Sequence, residues 1–474
     1  MDLAQQNSKS SKQKFKMQMP HTLVIIAVII ALVTLATYLI PGGAYETAVN
    51  ESGKTVVVNG TFKYIKSNPQ SIFDVLQAPV QGLIDGAEII AFLFLVGGAF
   101  SIISKTKAID FGILKIVSMF KGAEIVVLPI LMFMFSLGGA TFGMSEEAVA
   151  FIAVLSPLVL ALGYDSIVTI AVTYLATNIG FSAAMLNPFT VGIAQSIAEI
   201  PLYSGVQFRT IIWFVTTALT CTFVMIYATK IKKNPQLSPV FEMDEEKRKH
   251  LENTQGEDTE FTLGHKIIVS SLFIGIGFIV YGVLKLGFWI PQIAGVFLAV
   301  GLISGIVGKL SPNEMAEAFV EGAKDMIGAA ILIGFARAIM IIAQNANIID
   351  TILFSLSNAI GHLPTLIASY LMLPVQMFIN FFVSSGSGQA ALTMPILAPL
   401  GDLVGITRQL TVLIFQLGDG FSNAMFPTSG VLIACLGMAG VPYGKWLKWI
   451  IPLQALLFTT SIVFITIASL IGWA

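Results

Sequence analysis

Glu146, Glu147, Asp419 and Arg337 each sit inside a long apolar stretch of the chain. A charge inside a lipid bilayer costs several kcal/mol, so an ionisable side chain kept there marks a binding site or a built-in ion pair. Ser145 and the two glutamates follow the glycine-rich run Gly138-Gly139-Ala140-Thr141-Phe142-Gly143, and a matching run, Ser384-Ser385-Gly386-Ser387-Gly388, leads to Gln389 at the place of Glu147. Thr177, Asn178, Ser182, Asn187 and Thr190 gather after the first run; Asp419, Ser422, Asn423, Thr428 and Ser429 gather after the second. Hydroxyls, amide oxygens and freed carbonyls are hard ligands for a small cation, and half-helix N-termini attract carboxylates. The set suits a zwitterion with an added positive charge: its carboxylate meets helix N-termini and hydroxyls, and Glu146, Glu147 or Asp419 faces its ammonium or guanidinium. Structural roles compete. The two glutamates also fit a tip that merely reaches water, Arg337 fits a counter-ion to Asp419 or to a tip carboxylate, and the Ser and Thr fit close helix packing. Asp85 and Asp325 precede apolar runs and are expected to be N-caps.

The elements that position these residues follow from composition. The chain has 474 residues, 55% hydrophobic and 11% charged, with a mean hydropathy of +0.84. That excludes a large soluble domain and predicts an all-α polytopic membrane protein with about ten apolar segments of spanning length. Helices are expected at about 22–40, 86–104, 208–229, 266–287, 291–308, 326–344 and 447–471. Residues 122–162 and 365–400 are expected to be re-entrant hairpins, each followed by a helix broken in the middle, at Thr177 to Thr190 and at Gly418 to Ser429. Irregular backbone at membrane depth is tolerated only where protein or a water-filled cavity satisfies it, so four such breaks point to one site. Lys9, Lys12, Lys14 and Lys16 precede a run too long for a signal peptide, which predicts a cytoplasmic basic tail over 1–21 and a retained first helix. On that orientation Lys54, Lys63, Lys66, Arg209, Lys285 and Arg408 fall outside, and 230–265 is a solvated cytoplasmic linker. Cys221 and Cys435 lack metal-ligand spacing, and the four histidines lie at helix ends or in the linker, so no disulfide, metal site or other cofactor is expected. A net charge of −1 with scattered cations gives no nucleic-acid footprint.

The chain also repeats itself. Gly180-Phe181-Ser182-Ala183-Ala184-Met185 returns 240 positions later as Gly420-Phe421-Ser422-Asn423-Ala424-Met425, and Val80, Gly82 and Asp85 return as Val320, Gly322 and Asp325. Ser145-Glu146-Glu147-Ala148 aligns with Ser387-Gly388-Gln389-Ala390, and Pro157 with Pro399. The units, 22–229 and 291–474, flank one connecting helix at 266–287, so they are expected to enter the membrane from opposite sides. Inverted repeats of this kind place substrate and coupling ion near the midplane, where discontinuous helices meet.

Met19-Pro20-His21-Thr22, Tyr38 with Pro41, Gly43 and Tyr45, the tip Gly143-Met144-Ser145-Glu146-Glu147, the tip Ser385-Gly386-Ser387-Gly388-Gln389-Ala390 and the break Gln416-Leu417-Gly418-Asp419-Gly420 together resemble the YfcC-like branch of the anaerobic C4-dicarboxylate carrier (DcuC-type) family, within the ion transporter superfamily. The resemblance covers nearly the whole chain. It implies inverted repeats with a re-entrant hairpin and a broken helix each, an elevator mechanism, a homodimer and a bacterial cytoplasmic membrane location. It also implies an amino acid substrate, with arginine/ornithine exchange as the leading activity and H+ or Na+ as a possible coupling ion. The Ser-Asn-Thr tips of sodium-coupled relatives are replaced here by Met144-Ser145-Glu146-Glu147 and Ser387-Gly388-Gln389, and the extra acids favour a cationic substrate or a proton. A sodium- or proton-coupled carrier of C4-dicarboxylates or peptides is the alternative. A membrane-embedded enzyme would need a second intramembrane aspartate beside Gly418-Asp419-Gly420, and none pairs with it.

Overall fold

The computed structural model describes residues 22–49, 55–58, 60–108, 124–255, 262–286, 288 and 290–473. The basic tail over 1–21, with its four lysines, and Lys54 lie outside them. The first half contains α1 (Thr22–Leu39), four short strands, β1 (Gly43–Ala44), β2 (Thr47–Val49), β3 (Thr55–Val57) and β4 (Lys63–Tyr64), then α2 (Ile72–Asp85), α3 (Ala87–Lys105), α4 (Glu124–Phe142), α5 (Glu147–Ala161), α6 (Ser166–Ser182), α7 (Ile193–Ile197) and α8 (Val206–Lys233). A helix in the linker, α9 (Phe241–Gln255), and α10 (Leu263–Tyr281) lead into the second half. There follow α11 (Ile290–Val307), α12 (Pro312–Asp325), α13 (Ile327–Asn345), α14 (Ile348–Ile360), α15 (Thr365–Phe382), α16 (Gly386–Leu403), α17 (Arg408–Asn423), α18 (Gly430–Ala439) and α19 (Tyr443–Leu470). Among the described residues five helices, α3, α8, α11, α15 and α19, are long and apolar enough to cross a membrane, and α12 with α13 makes a bent candidate. The mostly helical, membrane-type architecture is the one composition predicts, but the five or six spanning-length helices among the described residues are fewer than the roughly ten segments expected.

Hairpin geometry is plainest in the second half. Thr365 Oγ1 donates to the Val404 carbonyl at 2.6 Å, so α15 and α16 begin and end at one point. Gln389 ties the arms together, donating to the Gln376 carbonyl at 2.9 Å and to its side-chain oxygen at 2.7 Å. In the first half α4 and α5 turn at Gly143, whose φ of +76° is left-handed and suits glycine. Phe135 and Phe151 pack across the arms with ring centroids 5.1 Å apart. Small residues let the helices touch through their backbones. A Cβ at Gly180 on α6 would run into the Ser136 carbonyl of α4, and one at Gly139 into the Thr177 carbonyl.

Three expectations change. Asp85 and Asp325 are not N-caps: they end α2 and α12, whose own starts are fixed by capping boxes, Ser71 with Asp74 and Ser311 with Glu314. Arg209, expected at the outer end of the helix at 208–229, is on that helix, α8, but buried rather than exposed, because Trp473 and Gln416 close over it. The linker is not simply solvated, because Asp244 on α9 is fully buried against the start of α6. The loop 43–64 forms two antiparallel strand pairs, β1 with β4 and β2 with β3, anchored by Phe62 stacked on Phe354 at 4.0 Å.

Candidate functional site

The two tips and the two helix breaks line one cavity of about 190 Å³. Gly143, Ser145 and Glu146 come from the first tip, and Ser384, Ser385, Gly386 and Ser387 from the second. Tyr174, Asn178 and Phe181 reach it from α6, Phe189 from the break that follows, and Asn423 and Ser429 from the break between α17 and α18. Arg337 on α13 completes one wall.

The backbone groups of each break find partners within the protein, as irregular backbone at this depth requires. After α6, the Ala140 carbonyl of α4 accepts from the Met185 and Leu186 amides at 3.1 and 3.0 Å. Asn187 Oδ1 then accepts from the Phe189 and Thr190 amides at 2.8 and 3.3 Å, and Pro188 needs no partner because it has no N–H. After α17 the freed carbonyls are taken one by one. Tyr174 Oη donates to Asn423 at 3.0 Å, Trp446 Nε1 to Ala424 at 2.8 Å, Tyr443 Oη to Met425 at 2.7 Å and Ser384 Oγ to Thr428 at 3.0 Å. Asn380 on α15 donates to the Asp419 carbonyl at 2.9 Å, Ser422 Oγ at 2.7 Å and Asn423 Oδ1 at 2.9 Å.

Asp419 is fully buried, and neither carboxylate oxygen has a hydrogen-bond partner. Gly386 at the second tip leaves room for it: a Cβ there would stand 3.3 Å from Asp419 Oδ2 and against Thr190. Thr190 Oγ1, Asn178 Oδ1, Asn187 Nδ2 and Thr428 Oγ1 are also buried without partners. Of these residues only Asn178 lines the cavity, whereas Asp419 and Thr190 lie behind Gly386 of the lining, beside the place its Cβ would take.

The other expected residues are placed as follows. Glu146 lines the cavity, whereas Glu147 turns back so that its Oε2 accepts from the Ser145 amide at 3.0 Å. Thr177, Ser182 and Ser422 bond to carbonyls of their own helices. Ser385 and Ser429 cap α16 and α18, so those two helix N-termini open onto the cavity. Gln389 stays inside its hairpin, away from the lining. Arg337 pairs at 2.5 Å with Asp85, not with Asp419 or a tip carboxylate as the sequence suggests, because α2 packs along α13.

Sequence reasoning missed Tyr174, Asn380 and Arg209. Tyr174 sits one turn before Asn178, and Asn380 lies in the apolar arm α15; both are polar groups in apolar helices, which is the signal that flags them. Arg209 donates to Gln416 and lies 5.4 Å over the Trp473 ring, while its Nε and Nη2 have no partner. Among the described residues no cluster of His, Cys, Asp or Glu could hold a metal ion.

The family model described as C4-dicarboxylate anaerobic carrier (DcuC) matches residues 19–470. A protein of Escherichia coli (strain K12) named "Putative basic amino acid antiporter YfcC" is 42% identical, over 98% of this chain and 99% of that protein. A Haemophilus influenzae protein, named only "Uncharacterized protein", is 32% identical over 88% of this chain and 82% of its own. Two solved structures align at 16% identity: the YdaH transporter of Alcanivorax borkumensis, with a TM-score of 0.41 over 96% of this chain and 99% of that one, and MtrF of Neisseria gonorrhoeae, with 0.40 over 95% of each.

Proposed function

The chain belongs to the C4-dicarboxylate anaerobic carrier family and is a multi-pass membrane transporter rather than an enzyme, and from that premise we propose that it exchanges basic amino acids, arginine and ornithine being the leading pair. The observation that carries the proposal is the charge of the site. Glu146 offers a carboxylate on the lining and Asp419, directly behind Gly386, a second that is buried without a partner, while the cation on the lining, Arg337, is tied to Asp85. A guanidinium or ammonium group satisfies the acids, and the N-termini of α16 and α18 with their serine caps receive the substrate carboxylate. The name of the 42% identical relative agrees with this chemistry.

Exchange of two substrates of equal charge is electroneutral and needs no ion gradient. The tips and breaks then act as one mobile unit, in an elevator cycle between inverted repeats, within a homodimer in a bacterial cytoplasmic membrane and with the N-terminus inside. The alternative is sodium- or proton-coupled uptake of a C4-dicarboxylate or a peptide. It draws on the serine hydroxyls and helix N-termini, which suit carboxylates, but it leaves Asp419 facing a like charge. Liposomes loaded with ornithine and carrying the purified protein should take up labelled arginine without any gradient. Uptake seen only with succinate on both sides, or only with a sodium gradient, would replace the proposal by the alternative.

A further inference from the structure

Asp244 and Lys247 of α9 contact both broken helices at the ends remote from the cavity. The Asp244 carboxylate accepts from the Ser166 amide at 2.7 Å and from its hydroxyl at 2.5 Å, at the first residue of α6. One turn on, Lys247 Nζ donates to the carbonyl of Ala439, the last residue of α18, at 2.7 Å. It also donates to Ser166 Oγ at 2.8 Å and Asp244 Oδ1 at 3.0 Å, so its three N–H groups are all used. A carboxylate thus meets a helix N-terminus and an ammonium a helix C-terminus, the favourable polarity in each case. Arg248 adds a bond from Nη2 to the Tyr164 carbonyl at 2.9 Å. The opposite ends of these same helices frame the site, α6 through Tyr174 and Asn178 and α18 through its cap Ser429.

We propose that Asp244 and Lys247 are positioning residues that clamp α6 and α18 into one body, so that the linker helix travels with the broken helices. Glu246 and Lys247 also line a cavity of about 550 Å³ whose other walls are α3, α5, α12 and α18. Movement of the clamped body against α3 and α12 changes this cavity while the clamp stays closed. An ordinary i,i+3 ion pair on a surface helix would stiffen α9 alone.

Hydrogen–deuterium exchange on the purified full-length protein separates these cases without any substrate, and therefore independently of the arginine proposal. Lys247→Ala is expected to raise deuterium uptake severalfold in peptides covering the first turn of α6 and the last turn of α18, leaving α3 unchanged. Lys247→Arg should retain protection. The exchange Asp244→Lys with Lys247→Asp keeps an ion pair but opposes both helix ends, so it should not restore protection. Uptake that rises only within α9, or a charge swap that restores both helices, would overturn the clamp. If Lys247→Ala does not yield folded protein, Asp244→Ala, which removes every acceptor at that position, tests the α6 end alone, and protection there equal to wild type has the same force. In liposomes that exchange arginine, Lys247→Ala should lower the maximal rate about tenfold with little change in the half-saturating concentration. An unchanged maximal rate would also count against it.

Discussion

Both carboxylate oxygens of Asp419 are buried and unpaired, a condition that costs several kcal/mol unless a ligand supplies the missing charge. Asp419→Asn keeps the size and removes the charge. Arginine exchange at saturation should fall about 100-fold, roughly 3 kcal/mol, while the ligand-free protein melts at the same temperature or higher, because an uncompensated charge has gone. A variant that exchanges at the wild-type rate removes Asp419 from the site. Glu147 sits differently: its carboxylate accepts from the Ser145 amide, and Glu147→Gln keeps an acceptor there, so its exchange rate should fall far less than that of Asp419→Asn. Arg337 and Asp85 form a pair whose side chains are only partly buried by the protein, 31% and 40% exposed, and water reaching it through the cavity would screen it. A double-mutant cycle of Arg337→Gln and Asp85→Asn, read by thermal unfolding, should return a coupling of about 0.5 kcal/mol. A coupling several times larger would mean that the pair is desolvated and braces α2 on α13.

Backbone contact between α4 and α6 places the first tip against the first break. A Cβ at Gly180 meets the Ser136 carbonyl, an atom that cannot swing away, whereas one at Gly277 on α10 meets nothing within 4 Å. Gly180→Ala should therefore cost about 2 kcal/mol or more through overpacking, and Gly277→Ala should gain about 0.5–1 kcal/mol from helix propensity. Thermal unfolding of the detergent-solubilised variants checks both, and equal melting temperatures would show that α4 and α6 are not in backbone contact. The long apolar helices and the two tips were legible because apolar length and glycine-serine runs are local signals, whereas the two breaks are narrower than expected: α6 runs to Ser182 and α17 to Asn423, so Thr177, Asn178 and Asp419 lie inside helices. The capped helices α2 and α12 escaped notice because they are too polar for an apolar scan, although Ser71 with Asp74 and Ser311 with Glu314 are readable start signals. Arg337 was legible as a charge within an apolar helix, but its partner was not, since Asp85 is more than 250 residues away. For α9 the charge pattern was visible, but its docking depends on helix ends at Ser166 and Ala439, which no local pattern reports.

At the scale of the molecule, the roughly 550 Å³ cavity lies along α3, α5, α12 and α18, bordered by the linker helix, and three of these helices begin near the substrate-sized cavity between the tips. If the proposed elevator cycle holds, the larger cavity is the vestibule on the linker side. If the linker is cytoplasmic, Ser104, an exposed residue of its lining, must be reached from the cytoplasm alone. With Cys221 replaced by serine and Cys435 left buried, a membrane-impermeant maleimide should label Ser104→Cys in inside-out vesicles and spare it in intact cells. Saturating arginine should change the labelling rate severalfold as the clamped body moves and the vestibule narrows or widens. Labelling in intact cells alone would reverse the assigned orientation while leaving the path intact. A rate indifferent to an arginine that the protein demonstrably exchanges would separate the vestibule from the path, because a cavity on the route of a moving transport body cannot keep its shape through the cycle.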